Sequence, residues 1–379
     1  SGSSPISDVV VVGGGVVGLG VGWRAASAGM HVAVCDPAPG RGASWAAAGM
    51  LAPVTEASAA EAPLVRIGLD SLARWPAFAT ELTDDSGIDV GLRRDGTLQI
   101  AFDDDDRRAI GELADVHRTL GLDSEWCSTR QCRQLEPLLS PRLKGGLSVR
   151  GDWQVDSRAV VTALESAFTR RGGMLHARSV RRLLAGVDGA VTGVELDDGA
   201  TLRAGTVVLA AGAHSAGIAG IPAGAVPPVR PVKGEILRLQ ADPAGLPFTR
   251  NIRAIVEGRA VYLVARLNGE VVVGATTQEA GFDTTVRAGA VHDLLHAAVD
   301  VVPAIEELAL VEARAGLRPA TPDNAPLLGP SSTPGLVIAT GHYRHGMLLA
   351  PFTADTVMAV LAGGALPVEA AALHPGRFS

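Results

Sequence analysis

The sequence predicts an α/β chain with a Rossmann-like, nucleotide-binding domain on a parallel sheet and a second domain on a mixed, largely antiparallel sheet. Three observations carry this reading. Apolar runs at residues 9–12, 206–211 and 335–340 show almost no polar alternation, the pattern of strands buried on both faces. Gly13, Gly15 and Gly18 follow the first run and open a helix pattern. Residues 229–276 switch to strand alternation with a turn at Asn268-Gly269, as antiparallel hairpins do. A length of 379 residues fits two to three domains at roughly 150 residues each.

Taken in order, residues 9–12, a helix reaching residue 28 and a strand at 31–35 make a complete βαβ unit, with Gly29 placed to end the helix and Asp36-Pro37 closing the second strand. Residues 43–51 form a small-residue loop that lets backbone approach a ligand. A helix is expected over 61–80 and a strand over 97–102. Asp103, Asp104, Asp105 and Asp106 start the next helix, which ends before Gly121; acids at a helix start read as cap and dipole partners, not as a metal site. Residues 157–171 read as an amphipathic helix capped by Ser157, with Gly172 beyond its end. Strands at 174–184 and 191–196 precede a hairpin turn at Asp198-Gly199, and strand 206–211 leads into Gly212. A helix at 286–301, an extended stretch at 308–318, a strand at 335–340 and a helix at 347–361 follow. Because the parallel-type strands recur near the start, middle and end, the expected domains are discontinuous. Residues 5–90, 150–225 and 315–379 are assigned to the nucleotide-binding domain, and 91–149 and 226–314 to the second.

Composition narrows the function classes. With 47% hydrophobic and 19% charged residues the chain can bury a core, which excludes disorder as its main character. A net charge of −7 argues against nucleic acid as a partner, and 5 Trp, 2 Tyr and 7 Phe leave few platforms for stacking bases. The 33 basic residues include only two lysines, Lys144 and Lys233, a bias from which no function is read. Cys35, Cys127 and Cys132 are too few for a disulfide framework and point to a reducing, cytoplasmic compartment; Cys127-x4-Cys132 lacks a second pair for zinc. Between Arg203 and Arg230 there is no charge, but repeated Gly and Pro argue against a membrane span. Ser1, Gly2, Ser3 and Ser4 read as a cloning remnant, and no signal peptide is expected. His292-Asp293-Leu294-Leu295-His296 has zinc-helix spacing with Asp where Glu belongs and no third ligand apparent, so no metal is expected; His214 is read as structural.

Chemistry enters with the glycine loop. In Gly13-x-Gly15-x-x-Gly18, Gly13 allows a tight turn, Gly15 lets backbone approach a pyrophosphate, and Gly18 lets helix and strand pack closely. The helix start supplies N–H donors for phosphate, and Asp36, 18 residues beyond Gly18, is placed to accept from a ribose hydroxyl. NAD and FAD both satisfy this unit.

Residues 43–51, Val207-Val208-Leu209-Ala210-Ala211-Gly212, Pro231-Val232-Lys233-Gly234-Glu235, Tyr262-Leu263-Val264, Val273-Gly274-Ala275-Thr276, Gly316-Leu317-Arg318-Pro319 and Gly341-His342-Tyr343-Arg344-His345-Gly346 stand in the order found in the D-amino-acid oxidase superfamily. The set resembles its glycine oxidase branch, which is associated with thiamine biosynthesis, over nearly the whole chain. The resemblance implies a D-amino-acid oxidase-like fold with non-covalent FAD; members with covalent flavin use a late cysteine, and none follows Cys132. It implies cofactor contacts at Val16, Val17, Asp36, Pro37, Ser44, Ala48, Gly49 and Met50, with Gly212 at the end of its strand. Val180 would lie near the adenine, and His342, Tyr343, Arg344, His345, Gly346, Met347 and Leu348 near the isoalloxazine. A helix beginning near Gly346 would aim N–H groups at the flavin pyrimidine edge.

By the same resemblance Arg318 is the main partner of a substrate carboxylate and Arg344 a second one, since a guanidinium fork matches a planar carboxylate. Tyr262 would face the substrate, Met50 would line the pocket, Tyr343 is treated as packing, and Thr277 stands where the family has Met, which alters the pocket. No side chain is assigned as a catalytic acid or base. The expected activity is oxidation of glycine and small amines or D-amino acids: hydride passes from the substrate α-carbon to flavin N5, leaving an imine, and dioxygen reoxidises the flavin to give hydrogen peroxide. The imine would feed the thiazole of thiamine. A homo-oligomer, tetrameric in relatives, is expected. The rival readings are a dehydrogenase of related fold with a non-oxygen acceptor, and a non-catalytic flavin- or nucleotide-binding protein.

Overall fold

In the computed structural model the described residues are 7–222, 224–242, 245–256 and 258–378; the expected remnant at 1–4 lies outside them. Two eight-stranded sheets organise these residues. The first has the path Leu327–Pro330, Leu336–Thr340, Thr201–Leu209, Ser7–Val12, Val32–Cys35, Met174–His176. From Leu336–Thr340 onward every pairing is parallel. The unbroken apolar run at its centre now has a physical reason. Val9 and Val11 pack with Leu19, Trp23 and Phe168 on one face, while Val10 and Val12 pack with Val194, Leu336 and Ile338 on the other. Both faces are covered, so neither alternate set of side chains is polar. The expected hairpin at Asp198-Gly199 joins Val191–Leu196 to Thr201–Leu209, with Gly199 at φ 84°.

The second sheet has the order Ala309–Ala320, Arg230–Gln240, Glu270–Gly274, Arg259–Ala265, Asn251–Val256, Thr97–Ile100, Gly146–Val149, Glu125–Cys127. Only one pairing, between Asn251–Val256 and Thr97–Ile100, is parallel. Here the period of two sorts side chains to different fates. Leu263, Val271 and Val273 pack beneath the helix Ala288–Val301, whereas Tyr262, Val264 and Val272 face a cluster with Ala46, Ala48 and Met50. A short ribbon, Met50–Leu51 with Trp153–Gln154, carries the small-residue loop between the sheets.

Several element boundaries differ from the sequence reading. The strand expected over 174–184 is two, Met174–His176 and Val180–Ala185, which pair with different neighbours, and the strand expected over 97–102 ends at Ile100. The helix expected over 61–80 runs Ala62–Ser86, because its apolar face continues through Leu82 and Gly87, at φ 75°, provides the left-handed stop. The helix Ser157–Arg170 is capped by Asp156, not Ser157; the Asp156 carboxylate accepts from the N–H groups of Arg158 and Ala159. Ser157 Oγ instead donates to the Ala47 carbonyl. The last long helix is Ala350–Leu361, beginning after Gly346 rather than at it; residues 346–349 form turns, and Pro351 occupies the helix's first turn, where its missing N–H does no harm. The aspartate run behaves as expected: Asp103 and Asp106 form a reciprocal capping box on Asp104–Leu120. Among the described residues no helix is long and apolar enough to cross a membrane.

Gly18 is the tightest joint of the first sheet. A Cβ there would lie 1.9 Å from the Gly13 carbonyl oxygen. Gly18→Ala is therefore expected to cost about 1–3 kcal/mol through overpacking; denaturant unfolding measures it, and an unchanged midpoint would refute the assignment of Gly18 as a packing constraint.

Candidate active site

A cavity of about 590 Å³ lies between the two sheets. Gly13, Gly15, Val16, Val17, Asp36, Ser44, Ala48, Gly49, Met50, Gly212, Tyr262, Arg318 and every residue from His342 to Leu348 line it. Gly18, Pro37 and Val180 do not: Gly18 is buried against Gly13, Pro37 is exposed, and Val180 begins the strand Val180–Ala185. His214, read as structural, also borders the cavity and stacks on Phe282 with ring centroids 4.9 Å apart.

At one end the cavity meets the first turn of Val16–Ser27. The Val16 N–H donates to Ser44 Oγ at 3.0 Å, so a distant hydroxyl does what the cap residue Gly15 cannot. Asp36 accepts from the N–H groups of Gly14 at 2.7 Å and Ala38 at 2.8 Å, which orients its carboxylate along the glycine loop. Side chains are absent where backbone must be approached closely: a Cβ on Gly15 would come within 3.3 Å of Ser44 Oγ.

The wall formed by residues 343–349 is held from behind. Ser71 Oγ and Trp75 Nε1 both donate to the Leu348 carbonyl, at 2.6 and 3.1 Å. The Leu349 N–H returns to His345, while among the described residues no acceptor stands against the N–H groups of Gly346, Met347 and Leu348. Donors are thus presented by a run of turns, with the helix start lying four residues further on. Burial holds His342 far below its ordinary range, to about 3, and its Nε2 lies 2.9 Å from Thr353 Oγ1, so this imidazole is neutral at physiological pH.

The second sheet supplies the other wall. Arg318 and Tyr262 each lie over a glycine: a Cβ on Gly234 would fall 2.4 Å from an Arg318 guanidinium nitrogen, and one on Gly274 would fall 2.2 Å from the Tyr262 hydroxyl. The Arg318 fork donates to the Thr276 carbonyl at 3.1 Å. Arg344 is more exposed and stands 3.7 Å from Glu56. Thr277, the expected departure, does not line the cavity.

Glu56 and its partner Arg253 were not singled out from the sequence. Arg253 donates to Glu56 at 2.8 Å and sits opposite Tyr262 in the strand register. The loop carrying Glu56 is pinned by Asp152, which accepts from Val54 N–H, and by His117 Nε2 at 2.8 Å from the Val54 carbonyl. Nothing in residues 52–57 has a periodicity or motif that announces this. The zinc-like pair His292 and His296 sits on an exposed helix face, and among the described residues no group of three or more His, Cys, Asp or Glu side chains is placed to hold a metal ion.

Burial opposes ionisation of Glu56, but the charges of Arg253, His345 and Arg344 outweigh it and hold its carboxyl near 2, below the ordinary 4.5. A depressed folded-state value means that this stabilisation is complete above 4.5 and fades as pH falls toward 2. Glu56→Gln should remove a pH-dependent contribution of about 3 kcal/mol, counting roughly 1.4 kcal/mol per unit. Denaturant unfolding across the acid range tests this; a wild-type-to-variant difference constant with pH would refute it.

A large group fits this cavity: a glycine loop at a helix start, an oriented acidic side chain, and a far wall of backbone donors without protein acceptors are the requirements of a dinucleotide that ends in a polar ring. The family profile described as FAD dependent oxidoreductase matches residues 8–359. A glycine oxidase of Geobacillus kaustophilus is 35% identical over 91% of this chain and 90% of its own. The crystal structure of glycine oxidase from Geobacillus kaustophilus superposes with a TM-score of 0.91 at 32% identity, covering 99% of each chain. A bifunctional protein ThiO/ThiG of Synechocystis is 30% identical over 98% of this chain but 54% of that longer protein. On these grounds the chain belongs to the FAD dependent oxidoreductase family, and is an FAD-dependent oxidoreductase of the glycine oxidase type.

Proposed function

We propose that the protein oxidises glycine and comparably small amines or D-amino acids, with Arg318 gripping the carboxylate. The observation that carries this reading is the guanidinium of Arg318 laid flat on Gly234 in the cavity that also holds the glycine loop and Tyr262. FAD, when bound, supplies the acceptor for the hydride leaving the substrate α-carbon and passes the electrons to dioxygen as hydrogen peroxide. Gly13, Gly15, Val16, Ser44 and Asp36 would hold its dinucleotide part, and the N–H groups at residues 346–348 its ring.

The remaining work belongs to positioning. Arg318 sets the carboxylate, the Tyr262 hydroxyl stands on the same wall of the cavity, and Met50, Ile236 and Val286 restrict the space left for a side chain. No side chain is assigned as a general base on the amine, and the two buried groups nearest that role are already engaged. Glu56 is ionised but engaged by Arg253, and His342 faces Thr353. On this reading the substrate reacts as the neutral amine. The likeness to ThiO/ThiG supports a role for the imine in assembling the thiazole of thiamine. Three buried free thiols support a reducing, cytoplasmic setting.

Anaerobic titration with glycine, sarcosine, D-alanine and D-proline should bleach the flavin absorbance, and readmitted oxygen should release one peroxide per substrate. Dye reduction without peroxide would favour a dehydrogenase, and no bleaching by any amino acid would overturn the reading. Arg318→Ala should raise KM roughly 10- to 100-fold, since a charge-assisted hydrogen bond contributes about 1.5–3 kcal/mol; an unchanged KM would dismiss Arg318 as the carboxylate partner. Because the neutral amine is the reactive form, kcat/KM should climb with pH toward the substrate's own ammonium pKa, and a profile flat through that range would require a base within the protein.

A further inference from the structure

Most ion-paired arginines of this chain lie at the surface, where such pairs contribute little. Two are different. Arg238 and Arg266 are 2% and 5% exposed, and a buried guanidinium is tolerated only when its donors are matched. Both spend donors on the main chain of a single segment. Arg266 donates to the carbonyls of Ala48 at 2.5 Å and Val155 at 2.6 Å. Arg238 donates to the carbonyls of Trp45 at 3.2 Å and Ala47 at 3.4 Å. Glu270 bonds both guanidinium groups and fixes their orientation. Ser157 Oγ reinforces the Ala47 carbonyl at 2.6 Å, and the Val155 N–H takes that of Gly49 at 2.9 Å.

Neither arginine lines the cavity, whereas residues 46–50 do. The carbonyls of Trp45, Ala47, Ala48 and Gly49 are therefore all claimed by donors of the protein body. In a planar trans peptide the N–H of the next residue points opposite to the carbonyl. The N–H groups of Ala48 and Gly49 are turned away from those donors, and among the described residues no acceptor stands against either. Gly49 is needed for the arrangement: its φ is 78°, and a Cβ there would strike the Val155 carbonyl oxygen at 2.0 Å.

We infer that Arg266 and Arg238 are positioning residues for the flavin, which hold the carbonyls of Trp45, Ala47 and Ala48 toward the second sheet and so present the N–H groups of Ala48 and Gly49 to the cofactor. The inference rests on FAD dependence and not on the identity of the substrate, so it stands or falls separately from the oxidation of amino acids. It concerns cofactor affinity and the electronic environment of the ring, because N–H donors against a flavin favour electron density there.

The test uses the full chain stripped of cofactor and titrated with FAD, followed by absorption spectra and a dye-equilibration potential. Arg266→Met should weaken FAD binding roughly tenfold or more, a factor of ten being about 1.4 kcal/mol. It should also shift the flavin absorption maximum and lower the potential. Arg266→Lys keeps the charge but cannot serve the Ala48 and Val155 carbonyls together, so it should fall between wild type and the Met variant. Ser157→Ala should move the same three readouts in the same direction by a smaller amount. If Arg266→Met fails to fold, as judged by circular dichroism of the protein without cofactor, the Lys and Ser157→Ala variants decide. Variants that fold and bind FAD with wild-type affinity, spectrum and potential would overturn the inference. So would a loss of FAD affinity with unaltered spectrum and potential, which is the signature of a purely structural role.

Discussion

A backbone N–H group shut away from water without an acceptor costs on the order of 1–3 kcal/mol. Around this cavity the chain presents several such donors, at Ala48 and Gly49 on one strand-like loop and at residues 346–348 on a run of turns. The surrounding architecture holds them there. The carbonyls opposite the Ala48 and Gly49 N–H groups are taken up from behind, Ala47 by Ser157 and Arg238 and Ala48 by Arg266, while Ser71 and Trp75 hold the Leu348 carbonyl at the end of the run of turns. The first sheet supplies the scaffold for one wall and the second sheet holds the guanidinium groups that orient the other. An FAD-dependent enzyme needs such a surface, because the protein's contribution to flavin chemistry is orientation and electrostatics.

The second sheet pursues the same economy on the other wall of the cavity. Its alternation sends one set of apolar side chains beneath Ala288–Val301 and leaves the other set facing the cavity. Polar side chains on that inner face then require room, which glycine provides. Gly234 and Gly274 remove two Cβ atoms, so that Arg318 and Tyr262 can lie flat across neighbouring strands. A side chain at either position would displace the group itself, not merely crowd it.

Charge in the pocket is arranged in matched pairs. Glu56 would be costly to bury alone, and Arg253 compensates it. That pairing leaves Arg318 free of any carboxylate partner among the described ion pairs, its fork satisfied only by the Thr276 carbonyl. An acceptor brought by a ligand therefore meets a cation whose strongest interaction is still available.

The N-terminal βαβ unit was legible in the sequence because every determinant is local: an unbroken apolar run, glycines at fixed spacing and an acid at the end of the next strand. The capping box at Asp103 was legible for the same reason. The order of motifs along the chain placed it beside a known family, and residues such as Arg318, Tyr262 and Met50, named on that basis, do border one cavity. What tertiary structure alone decided are pairings between residues far apart in the chain. Glu56 with Arg253, Ser71 with Leu348 and Arg266 with Ala48 are separated by 197, 277 and 218 positions. Even the cap of Ser157–Arg170 moved by one residue because Ser157 found a partner 110 positions away. Periodicity and spacing report what a segment does to itself; a hydrogen bond across two sheets exists only once both sheets are in place.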